Sequence, residues 1–425
     1  MDKTYHIITI GCQMNLADSE RIARYLEDLG YVWSETRAQA SVVVLTTCGV
    51  RQSAEDRIYG LIRQLEKDNP QAKIVLTGCL VNRADIRQRL QDRVHIWLPI
   101  TDLLALADHL GQERPTVDQG SYQGYLSLTA KHESGFSAWV PIGNGCNNFC
   151  SYCVVPYARG REVYRPYQEV LQEARDLVTQ GYKEITLIAQ NVNSYKSEAK
   201  DFADLLAAVN DLEGDFWLRF VTSHPKDMSQ KLIKTMASGQ KICHHLHLPA
   251  QAGDNEILRA MNRQYTIEHY LDLIQSLRSA ILDISLSTDI IVGFPNETKK
   301  QFKQTKKLFK QVKYDMAYLA QYSPRFGTAA YKLKDNVATA EKKEREEELN
   351  NILKRTAYGH NKKYKGQTVK VLVEEQKDGW SFGHTATNKH IRFQGEDQQL
   401  FGQFVLVKVI SVKPFGLQGR LIKAS

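Results

Sequence analysis

Three cysteines, Cys146, Cys150 and Cys153, lie within eight residues of one another in the run GCNNFCSYC, and we call them the clustered cysteines. Cysteine thiolates are the usual ligands of 4Fe–4S clusters, which are normally held by four of them. Three closely spaced thiolates can hold three irons and leave the fourth open to an external ligand, as catalytic metal sites generally do. A zinc site is the alternative, but zinc motifs usually include a second cysteine pair, which does not occur nearby. The spacing therefore predicts an iron–sulfur cluster with one open iron.

A second set, which we call the dispersed cysteines, consists of Cys12, Cys48 and Cys79, spaced 36 and 31 residues apart. Each ends a predicted strand, in the runs IITIGC, VVVLTTC and IVLTGC, and each has a glycine beside it. Successive parallel strands bring their carboxyl ends to one edge of a sheet, so we expect these thiols to converge. A single cysteine at a buried strand end is often only a small apolar residue. Its recurrence in three strands favours a second metal site.

The seventh cysteine, Cys243, lies in the run ICHHLH beside a predicted strand, and we interpret it as a packed thiol. An odd number of cysteines in a chain of 425 residues argues against a disulfide framework. No apolar run reaches the ~20 residues of a membrane helix, and the first residues, MDKTYHIITIGCQ, do not resemble a secretion signal. We therefore expect a cytoplasmic protein without a membrane partner.

Positive charge is concentrated near the C-terminal end. The whole chain contains 56 Lys and Arg against 48 Asp and Glu, which is a net charge of +8. Between His360 and Ser425 the corresponding counts are 11 and 5. A basic terminal module is typical of binding to a polyanion such as nucleic acid. A basic module without any partner would have the same charge.

The elements that must position the cysteines alternate between strands and helices. Residues 1–120 combine short apolar strands with amphipathic helices, which predicts a doubly wound α/β domain. Residues 132–365 repeat this alternation about six times, which predicts a full or partial (β/α) barrel. Cys146 follows the first barrel strand, at the edge where barrels place active sites. Residues 366–425 contain short strands separated by Gly and polar turns, which predicts a small all-β barrel.

Two connecting segments have weaker patterns. The polar stretch between the first two predicted domains is expected to contain one strand, from Gly124 to Thr129. The run EKKEREEELNNILKR predicts a charged helix from Val337 to Tyr358. We interpret this helix as a solvated connection and not as a binding site.

Several motifs together resemble the radical-SAM methylthiotransferase family, whose members use S-adenosylmethionine (SAM). The resemblance extends along nearly the whole chain and implies a methylthiotransferase domain, a radical-SAM barrel and a TRAM domain, which is an RNA-binding barrel. The motifs are GCQMNLADSE and TTCGVRQSAEDR in the first domain, and GCNNFCSYCVVPYARGREVYRP, LIAQNVNSY, RFVTSHPKD, HLHLPAQAGDNEILRAMNR, STDIIVGFPNET and YSPRFGTAAY in the second.

The resemblance implies two 4Fe–4S clusters and SAM as cofactors. The clustered cysteines would hold the radical-generating cluster, whose open iron chelates SAM, and the dispersed cysteines would hold an auxiliary cluster associated with the inserted sulfur. One SAM would methylate that sulfur, and a second would yield the radical that abstracts hydrogen from C2 of an adenine. The resemblance also implies tRNA as partner, an external one-electron donor of the flavodoxin or ferredoxin type, and a monomer. It assigns no catalytic residue beyond the cluster ligands.

Within the family, VVPYARG and AQNVNSY are similar to the branch that modifies isopentenyl-adenosine beside the tRNA anticodon. Sister branches act on threonylcarbamoyl-adenosine in tRNA or on an aspartate of a ribosomal protein, and the branches differ most in this region. The run NVNSY argues against the ribosomal substrate. A non-catalytic RNA-binding protein with a structural metal is the remaining alternative, and it predicts no dependence on a reductant.

Residues in the cluster loop and at predicted strand ends are candidates for contacts with SAM. Gln190 and its neighbours carry amide donors and acceptors, and Gly293 would let the backbone approach the adenine of SAM closely. Ordinary strand-end capping or turn formation is the alternative for the strand-end residues. The predicted SAM-binding residues are Tyr152, Gln190, Asn191, Asn193, Arg219, Ser223, His247, Gln251 and Gly293.

Cations after the cluster loop and in the C-terminal module are candidates for contacts with RNA phosphates. The cations after the cluster loop could instead meet the auxiliary site or form a solvated basic loop. Aromatic residues of this module either stack on bases or form its core. Two positions depart from the family pattern: Phe326 stands where the family usually has Pro, and GHTATN at 383–388 replaces the usual GRTxxN. The predicted RNA-binding residues are Arg159, Arg161, Arg165, Lys389, Arg392, Lys413 and Arg420, and the aromatic residues are Trp380, Phe382, Phe393 and Phe415.

Overall fold

The computed structural model describes residues 3–50, 52–115, 124–395 and 397–424. These residues form, in chain order, a parallel α/β sheet, a partial barrel of parallel strands and a closed β barrel. Among the helices in the described ranges, none is both long enough and apolar enough to cross a bilayer.

The N-terminal unit is a five-stranded parallel sheet with helices on both faces. Its elements are β1 Thr4–Thr9, α1 Gln13–Asp28, β2 Val32–Trp33, β3 Val42–Thr47, α2 Gln52–Asp68, β4 Lys73–Gly78, α3 Ala84–Leu90, β5 Ile96–Trp97 and α4 Leu106–Leu110. The strand order is β2-β1-β3-β4-β5. In β3, Val42 and Val44 face one apolar core, whereas Val43 and Leu45 face the other. Burial on both faces explains the continuous apolar run, and the predicted doubly wound α/β domain is confirmed.

The segment from Gly124 to Thr129 does not form the predicted strand. Tyr125–Ser127 is a short 3-10 helix, and the tyrosine hydroxyl lies 3.2 Å from both Asp18 Oδ1 and Asn144 Oδ1. Leu126 packs into the core beside the first sheet. The apolar residues that suggested a strand are therefore buried against a neighbouring unit without joining a sheet. The predicted domain boundary at residue 120 lies outside the described residues.

The central unit is a partial barrel. Its elements are β6 Ser137–Pro141, β7 Gly143–Asn144, α5 Val155–Arg159, β8 Val163–Tyr164, α6 Tyr167–Thr179, β9 Glu184–Ile188, β10 Lys196–Ser197, β11 Lys200–Asp201, α7 Phe202–Asn210, β12 Trp217–Phe220, α8 Gln230–Ser238, β13 His245–His247, α9 Asn255–Ala260, α10 Ile267–Ala280, β14 Ser285–Val292, α11 Lys299–Val312, β15 Met316–Gln321 and α12 Thr339–Asn361. The parallel sheets β6-β9-β12 and β13-β14-β15 meet at a bridge between Leu218 and Ile242. The carboxyl ends of these strands open at one mouth, and the predicted barrel is confirmed as a partial one.

The charged helix α12 packs more tightly than the sequence predicts. Leu349 and Leu353 belong to the core of the central unit. Arg345 is buried and forms an ion pair with the buried Glu297 at 2.6 Å. The interpretation of this helix as a solvated connection was wrong, because part of its charge is neutralised by a partner on the barrel.

The C-terminal unit is a closed five-stranded barrel. Its strands are β16 Thr368–Lys377, β17 Trp380–Thr385, β18 His390–Gln394, β19 Phe404–Lys413 and β20 Gly416–Ala424, in the order β16-β17-β18-β20-β19. The predicted small β barrel is therefore confirmed. It packs on the amino-terminal starts of the central strands, where the ring centroids of Trp217 and Phe404 lie 4.7 Å apart. Cys243 is buried in the same apolar cluster, which agrees with its interpretation as a packed thiol.

A network of buried charged side chains lies between the central unit and the C-terminal barrel. It includes two residues that were predicted to bind SAM or RNA. Arg219 pairs with Glu184 at 2.5 Å and donates two further hydrogen bonds to carbonyl groups of the C-terminal barrel. Lys389 pairs with Asp315 at 2.5 Å, and both side chains are largely buried. Arg219 is therefore not placed to bind SAM, and Lys389 is not placed to bind RNA, because partners in the protein occupy both cations.

His384 lies in this network with a carboxylate at each ring nitrogen. Nε2 lies 2.8 Å from Glu184, and Nδ1 lies 2.7 Å from Glu374. An ionised carboxylate only accepts hydrogen bonds, so both ring nitrogens must carry protons and the ring is a cation. Burial lowers the pKa of His384, but the charge of Glu184 and the hydrogen bonds to both carboxylates outweigh burial and raise the pKa above its usual range.

We expect this junction to lose stability as the pH rises through the raised pKa of His384. A group with a higher pKa in the folded chain contributes fully below its unfolded pKa of about 6.5 and loses that contribution above the folded pKa. Hydrogen bonds to charged groups contribute about 1.5–3 kcal/mol. As the pH rises, the free energy of unfolding of the parent should therefore fall by about that much more than that of His384→Gln. Urea denaturation across this pH range measures the difference, with the exposed His269→Gln as control. Parallel pH curves for the parent and His384→Gln would contradict the prediction.

Candidate metal centres

The dispersed cysteines follow the carboxyl ends of β1, β3 and β4, and the first sheet brings these ends to one edge. Gly78 has a φ of +87°, and a Cβ at this position would lie 2.5 Å from the carbonyl oxygen of Thr47. A Cβ on Gly49 would lie 3.3 Å from the Cβ of Cys79. The loops that carry Cys48 and Cys79 are therefore in contact, and glycine permits this approach of the backbones.

Asn15 joins the loop of Cys12 to the same edge. It is fully buried, and its Nδ2 donates to the carbonyl of Thr47 at 3.2 Å. Its Oδ1 accepts a hydrogen bond from the backbone N–H of Cys12 at 3.3 Å. A Cβ on Gly11 would lie 2.2 Å from the same oxygen, so glycine is required there as well. Sequence reasoning missed Asn15, although its position three residues after the N-cap residue Cys12 is a capping signal.

The loop of the clustered cysteines begins beyond β7 and is held by the segments that follow β9 and α9. The backbone N–H of Gly145 donates to Oε1 of Gln190 at 2.6 Å. The N–H of Ser151 donates to the carbonyl of Met261 at 3.0 Å, and Nδ2 of Asn262 donates to two carbonyls of the loop. Gln190, predicted to bind SAM, therefore positions the cysteine loop in this structure.

The two sets of cysteines lie next to each other. A Cβ on Gly49, the residue after Cys48, would lie 3.2 Å from Cγ2 of Val154, the residue after Cys153. Burial is the main cause that raises the pKa of the Cys153 thiol. A thiol in such surroundings keeps its proton unless a cation takes the proton's place, and cluster iron is such a cation. Two adjacent sets of three soft ligands therefore fit two neighbouring iron–sulfur clusters, each with one iron left unligated.

A buried cation adjoins the clustered cysteines. Nη1 of Arg263 lies 3.5 Å from Sγ of Cys150, and its Nη2 donates to the carbonyl of Pro249 at 2.9 Å. A guanidinium here offsets the negative charge of ligating thiolates. Sequence reasoning missed Arg263, because one cation after a short helix resembles an ordinary surface residue. Tyr152 is partly buried against the core of the central unit and stays a prediction as a SAM contact.

The structure corrects the predicted RNA contacts of Arg159 and Arg165. Arg159 pairs with Asp18 at 2.5 Å, and each side chain is 2% exposed. Arg165 pairs with Glu173 at 2.5 Å and is also buried. Neither guanidinium reaches RNA, because each neutralises a carboxylate inside the protein. Arg161 is exposed and lies over the ring of Phe149 at 4.8 Å, so it stays a candidate for RNA contact.

Asp18→Ala should destabilise the chain strongly, because it leaves Arg159 buried without its carboxylate. Removing one partner of a buried ion pair typically costs about 3–5 kcal/mol. The matched control is Asp28→Ala on the same helix, since Asp28 pairs with the half-exposed Arg24 and such pairs contribute about 0–1 kcal/mol. Chemical denaturation of both variants measures the difference. Equal losses in the two variants would show that the buried pair has no special role.

Asn191 and Ser223 offer unused polar atoms at neighbouring strand ends. Oδ1 of Asn191 and Oγ of Ser223 are buried and have no hydrogen-bond partner among the residues that the structure describes. Leaving such an atom unsatisfied costs about 1–3 kcal/mol, so both atoms fit the polar groups of a bound ligand. Nδ2 of Asn191 is held by Asp227 at 2.7 Å, which fixes the orientation of the amide. Both residues stay predictions as SAM ligands.

Two further predicted SAM residues have partners within the protein. The amide of Asn193 exchanges hydrogen bonds with the backbone of His224, at 2.9 Å each. Nδ1 of His247 lies 3.0 Å from Oγ of Ser287, and Nε2 lies 3.3 Å from Asp289. Asn193 therefore fixes a strand-end loop, whereas His247 is oriented by two polar neighbours.

Gln251 and Gly293 adopt left-handed backbone conformations. Gln251 has a φ of +64°, and its backbone N–H and C=O both bond to β14. Gly293 has a φ of +69°, and a Cβ there would lie 2.4 Å from Cγ of Lys342. The N–H of Gly293 donates to Glu297 at 2.6 Å. A side chain at this position would therefore meet a lysine of α12, and Gly293 stays a prediction as a contact of the adenine of SAM.

The remaining cations predicted to bind RNA share the outer face of the C-terminal barrel. Arg392 pairs in register with Gln418, two residues before Arg420. Lys413 and Arg392 line a groove of about 420 Å³. All three cations are exposed, and Arg392 lies over the ring of Trp380 at 4.7 Å. Phe393 is fully buried in the barrel, so its interpretation as core is the correct one.

The chain matches known families over most of its length. Residues 4–98 match the uncharacterized protein family UPF0004, residues 140–309 the radical SAM superfamily, and residues 362–422 the TRAM domain. Among solved structures, the radical S-adenosylmethionine methyltransferase TsrM from Kitasatospora setae superposes with a TM-score of 0.56 at 15% identity, over 76% of this chain and 72% of its own. The cobalamin-dependent S-adenosylmethionine radical enzyme OxsB has a TM-score of 0.53 at 10% identity, over 82% and 56%. At these identities the likeness shows the fold alone.

Curated relatives match from end to end. A protein of Carboxydothermus hydrogenoformans named tRNA-2-methylthio-N(6)-dimethylallyladenosine synthase is 41% identical over 99% of this chain and 100% of its own length. The protein of the same name from Moorella thermoacetica is 41% identical over 99% and 98%. With this identity, this coverage and two adjacent sets of three thiols, the chain belongs to the radical-SAM methylthiotransferase family, together with the tRNA-2-methylthio-N(6)-dimethylallyladenosine synthases.

Proposed function

We propose that this protein adds a methylthio group to C2 of N(6)-isopentenyl-adenosine beside the anticodon of tRNA, with SAM as both methyl donor and radical source. The observation that carries this proposal is the adjacency of the two sets of cysteines: Gly49, the residue after Cys48, closely approaches both Cys79 and Val154, the residue after Cys153. Sulfur insertion at an aromatic C–H requires a radical source and a sulfur carrier at one site. A single three-thiol loop would account only for the radical source.

The residues of the chain have distinct parts in this proposal. When bound, the two 4Fe–4S clusters and SAM supply the radical, the methyl group and the sulfur chemistry. The clustered cysteines would hold the radical-generating cluster, and the dispersed cysteines the auxiliary one. Asn191 and Ser223 would orient SAM through their unpaired polar atoms. Arg263 and the pair of Arg159 with Asp18 would balance charge and exclude water beside the thiols.

The same proposal includes the partners and the division into domains. The outer face of the C-terminal barrel, with Arg392, Lys413 and Arg420, would hold tRNA phosphates together with Arg161. A flavodoxin- or ferredoxin-type protein would supply single electrons to a monomer. The proposed domains are residues 1–120, 132–365 and 366–425.

Mass spectrometry of nucleosides from total tRNA tests the substrate, in a strain lacking the gene and in the same strain carrying it. We expect methylthio-isopentenyl-adenosine to disappear without the gene and isopentenyl-adenosine to accumulate. A change in threonylcarbamoyl-adenosine instead would keep the chemistry and reassign the substrate. An unchanged tRNA profile would refute the tRNA substrate and favour a ribosomal protein.

A further inference from the structure

An aromatic pair lies exposed beyond the carboxyl end of β15. Phe326 is 42% exposed and Tyr331 is 48% exposed, although both are large apolar rings. Their centroids lie 5.6 Å apart at an interplanar angle of 69°, an edge-to-face contact. Single exposed apolar residues need no explanation, but two rings braced against each other form a preorganised surface. Phe326 also stands at a position where the radical-SAM methylthiotransferase family usually has a proline.

The turn that carries these rings is fixed to both sets of cysteines. Nη1 of Arg325 donates to Oε1 of Gln52 at 2.7 Å, and Gln52 begins α2 four residues after Cys48. The backbone N–H of Ala330 donates to the carbonyl of Ser151 at 2.7 Å, within the loop of the clustered cysteines. The aromatic pair is therefore held at the rim where the two sets meet.

Charge on the same segment favours nucleic acid over an apolar protein surface. Lys332 and Lys334 are exposed, and they lie one and three residues after Tyr331. Aromatic rings combined with lysines are typical of surfaces that bind unpaired RNA bases and their phosphates. An adenosine whose C2 enters a buried site must leave its stack, so its neighbour in the RNA loses a stacking partner. An exposed ring at the rim can replace that partner.

We propose that Phe326 and Tyr331 form a stacking shelf that receives an unpaired nucleobase next to the target adenosine. This inference rests on the proposed tRNA substrate and adds a binding site to it. Lys332 contacts the phosphate of the same nucleotide. The shelf holds the strand while the target adenosine occupies the site between the two sets of cysteines.

Binding of an anticodon stem-loop with 2-aminopurine beside the target adenosine tests the shelf, using the reconstituted full-length enzyme. Phe326→Ala should weaken binding about 5- to 100-fold, as alanine substitution of stacking residues does. The 2-aminopurine fluorescence, quenched by the parent, should recover. Phe326→Trp should restore both properties, because it keeps a ring. Leu333→Ala is the matched control, since Leu333 is exposed on the same segment and cannot stack.

Salt dependence separates stacking from charge. Phe326→Ala should weaken binding equally at all salt concentrations, whereas Lys332→Ala should reduce the slope of log Kd against log salt by about 1. If Phe326→Ala bound the stem-loop with the affinity of the parent, the shelf would be overturned. If Phe326→Trp and Leu333→Ala weakened binding as much as Phe326→Ala, the shelf would also be overturned, because the common cause would be a distorted turn. If the parent itself neither binds nor modifies the stem-loop, the proposed function fails together with the shelf. If the parent modifies it and Phe326→Ala binds equally well, only the shelf fails.

Discussion

Cys150→Ala is expected to abolish reductive cleavage of SAM to 5′-deoxyadenosine. It should also remove about four of the roughly eight irons that two 4Fe–4S clusters bring to a reconstituted chain. Loss of a residue that merely supports a metal ligand already costs about 10- to 100-fold in metal affinity or activity, so loss of a ligand should cost at least about 100-fold. Iron analysis and chromatography of the SAM products with dithionite as reductant measure both effects.

Cys243→Ala is the matched control for this experiment. Cys243 is also a buried cysteine of the central unit, but it packs against Trp217 and Phe404 at the far end of the barrel. We expect Cys243→Ala to keep all of its iron and to cleave SAM at the parent rate. Full iron content or normal SAM cleavage in Cys150→Ala would refute the assignment of the clustered cysteines.

Cys12→Ala is expected to separate the two halves of the reaction. SAM cleavage should continue, because the clustered cysteines are intact, but methylthio product should fall at least about 100-fold, by the same reasoning on lost metal ligands. Iron should again fall by about four atoms per chain. Cys12 is the suitable position because it is exposed, unlike the buried Cys48 and Cys79, so alanine disturbs the packing least. Parallel assays of 5′-deoxyadenosine and of modified nucleosides measure the two activities.

Two outcomes would contradict the auxiliary site. If Cys12→Ala retained full iron and full methylthio transfer, the dispersed cysteines would be ordinary strand-end residues without a metal. If it lost SAM cleavage to the same extent as Cys150→Ala, the dispersed cysteines would support the first cluster only, and the separation of roles would be wrong. Cys48→Ala provides an independent test at a second strand of the same sheet.

Strands and helices of the central barrel could be predicted closely from the sequence. The alternation expected over residues 132–365 agrees with the series of strands and helices from β6 to β15, because these elements have a strong apolar periodicity bounded by turn residues. The segment at Gly124 was misassigned because its apolar residues pack on a neighbouring unit. The helix α12 was misjudged for a related reason: its Arg345 is neutralised by Glu297, 48 residues earlier in the chain.

Cations were the residues whose roles the sequence described least well. Arg159 pairs with a carboxylate 141 residues away, and Arg219 reaches carbonyl groups 166 and 167 residues further along the chain. A sequence shows that a residue is charged and which neighbours it has along the chain. The partner that removes the charge from solvent is chosen by the packing of separate units.

The sequence by itself determined the two sets of cysteines, the alternation that brings them to strand ends, and the basic C-terminal barrel. These features are local, since spacing, periodicity and turn residues act within a few residues of one another. Only the tertiary structure decided that the two sets adjoin, that Arg263 lies beside Cys150, and that Phe326 and Tyr331 stand at the rim between them. Such relations depend on contacts between segments far apart in the chain, and no local pattern encodes them.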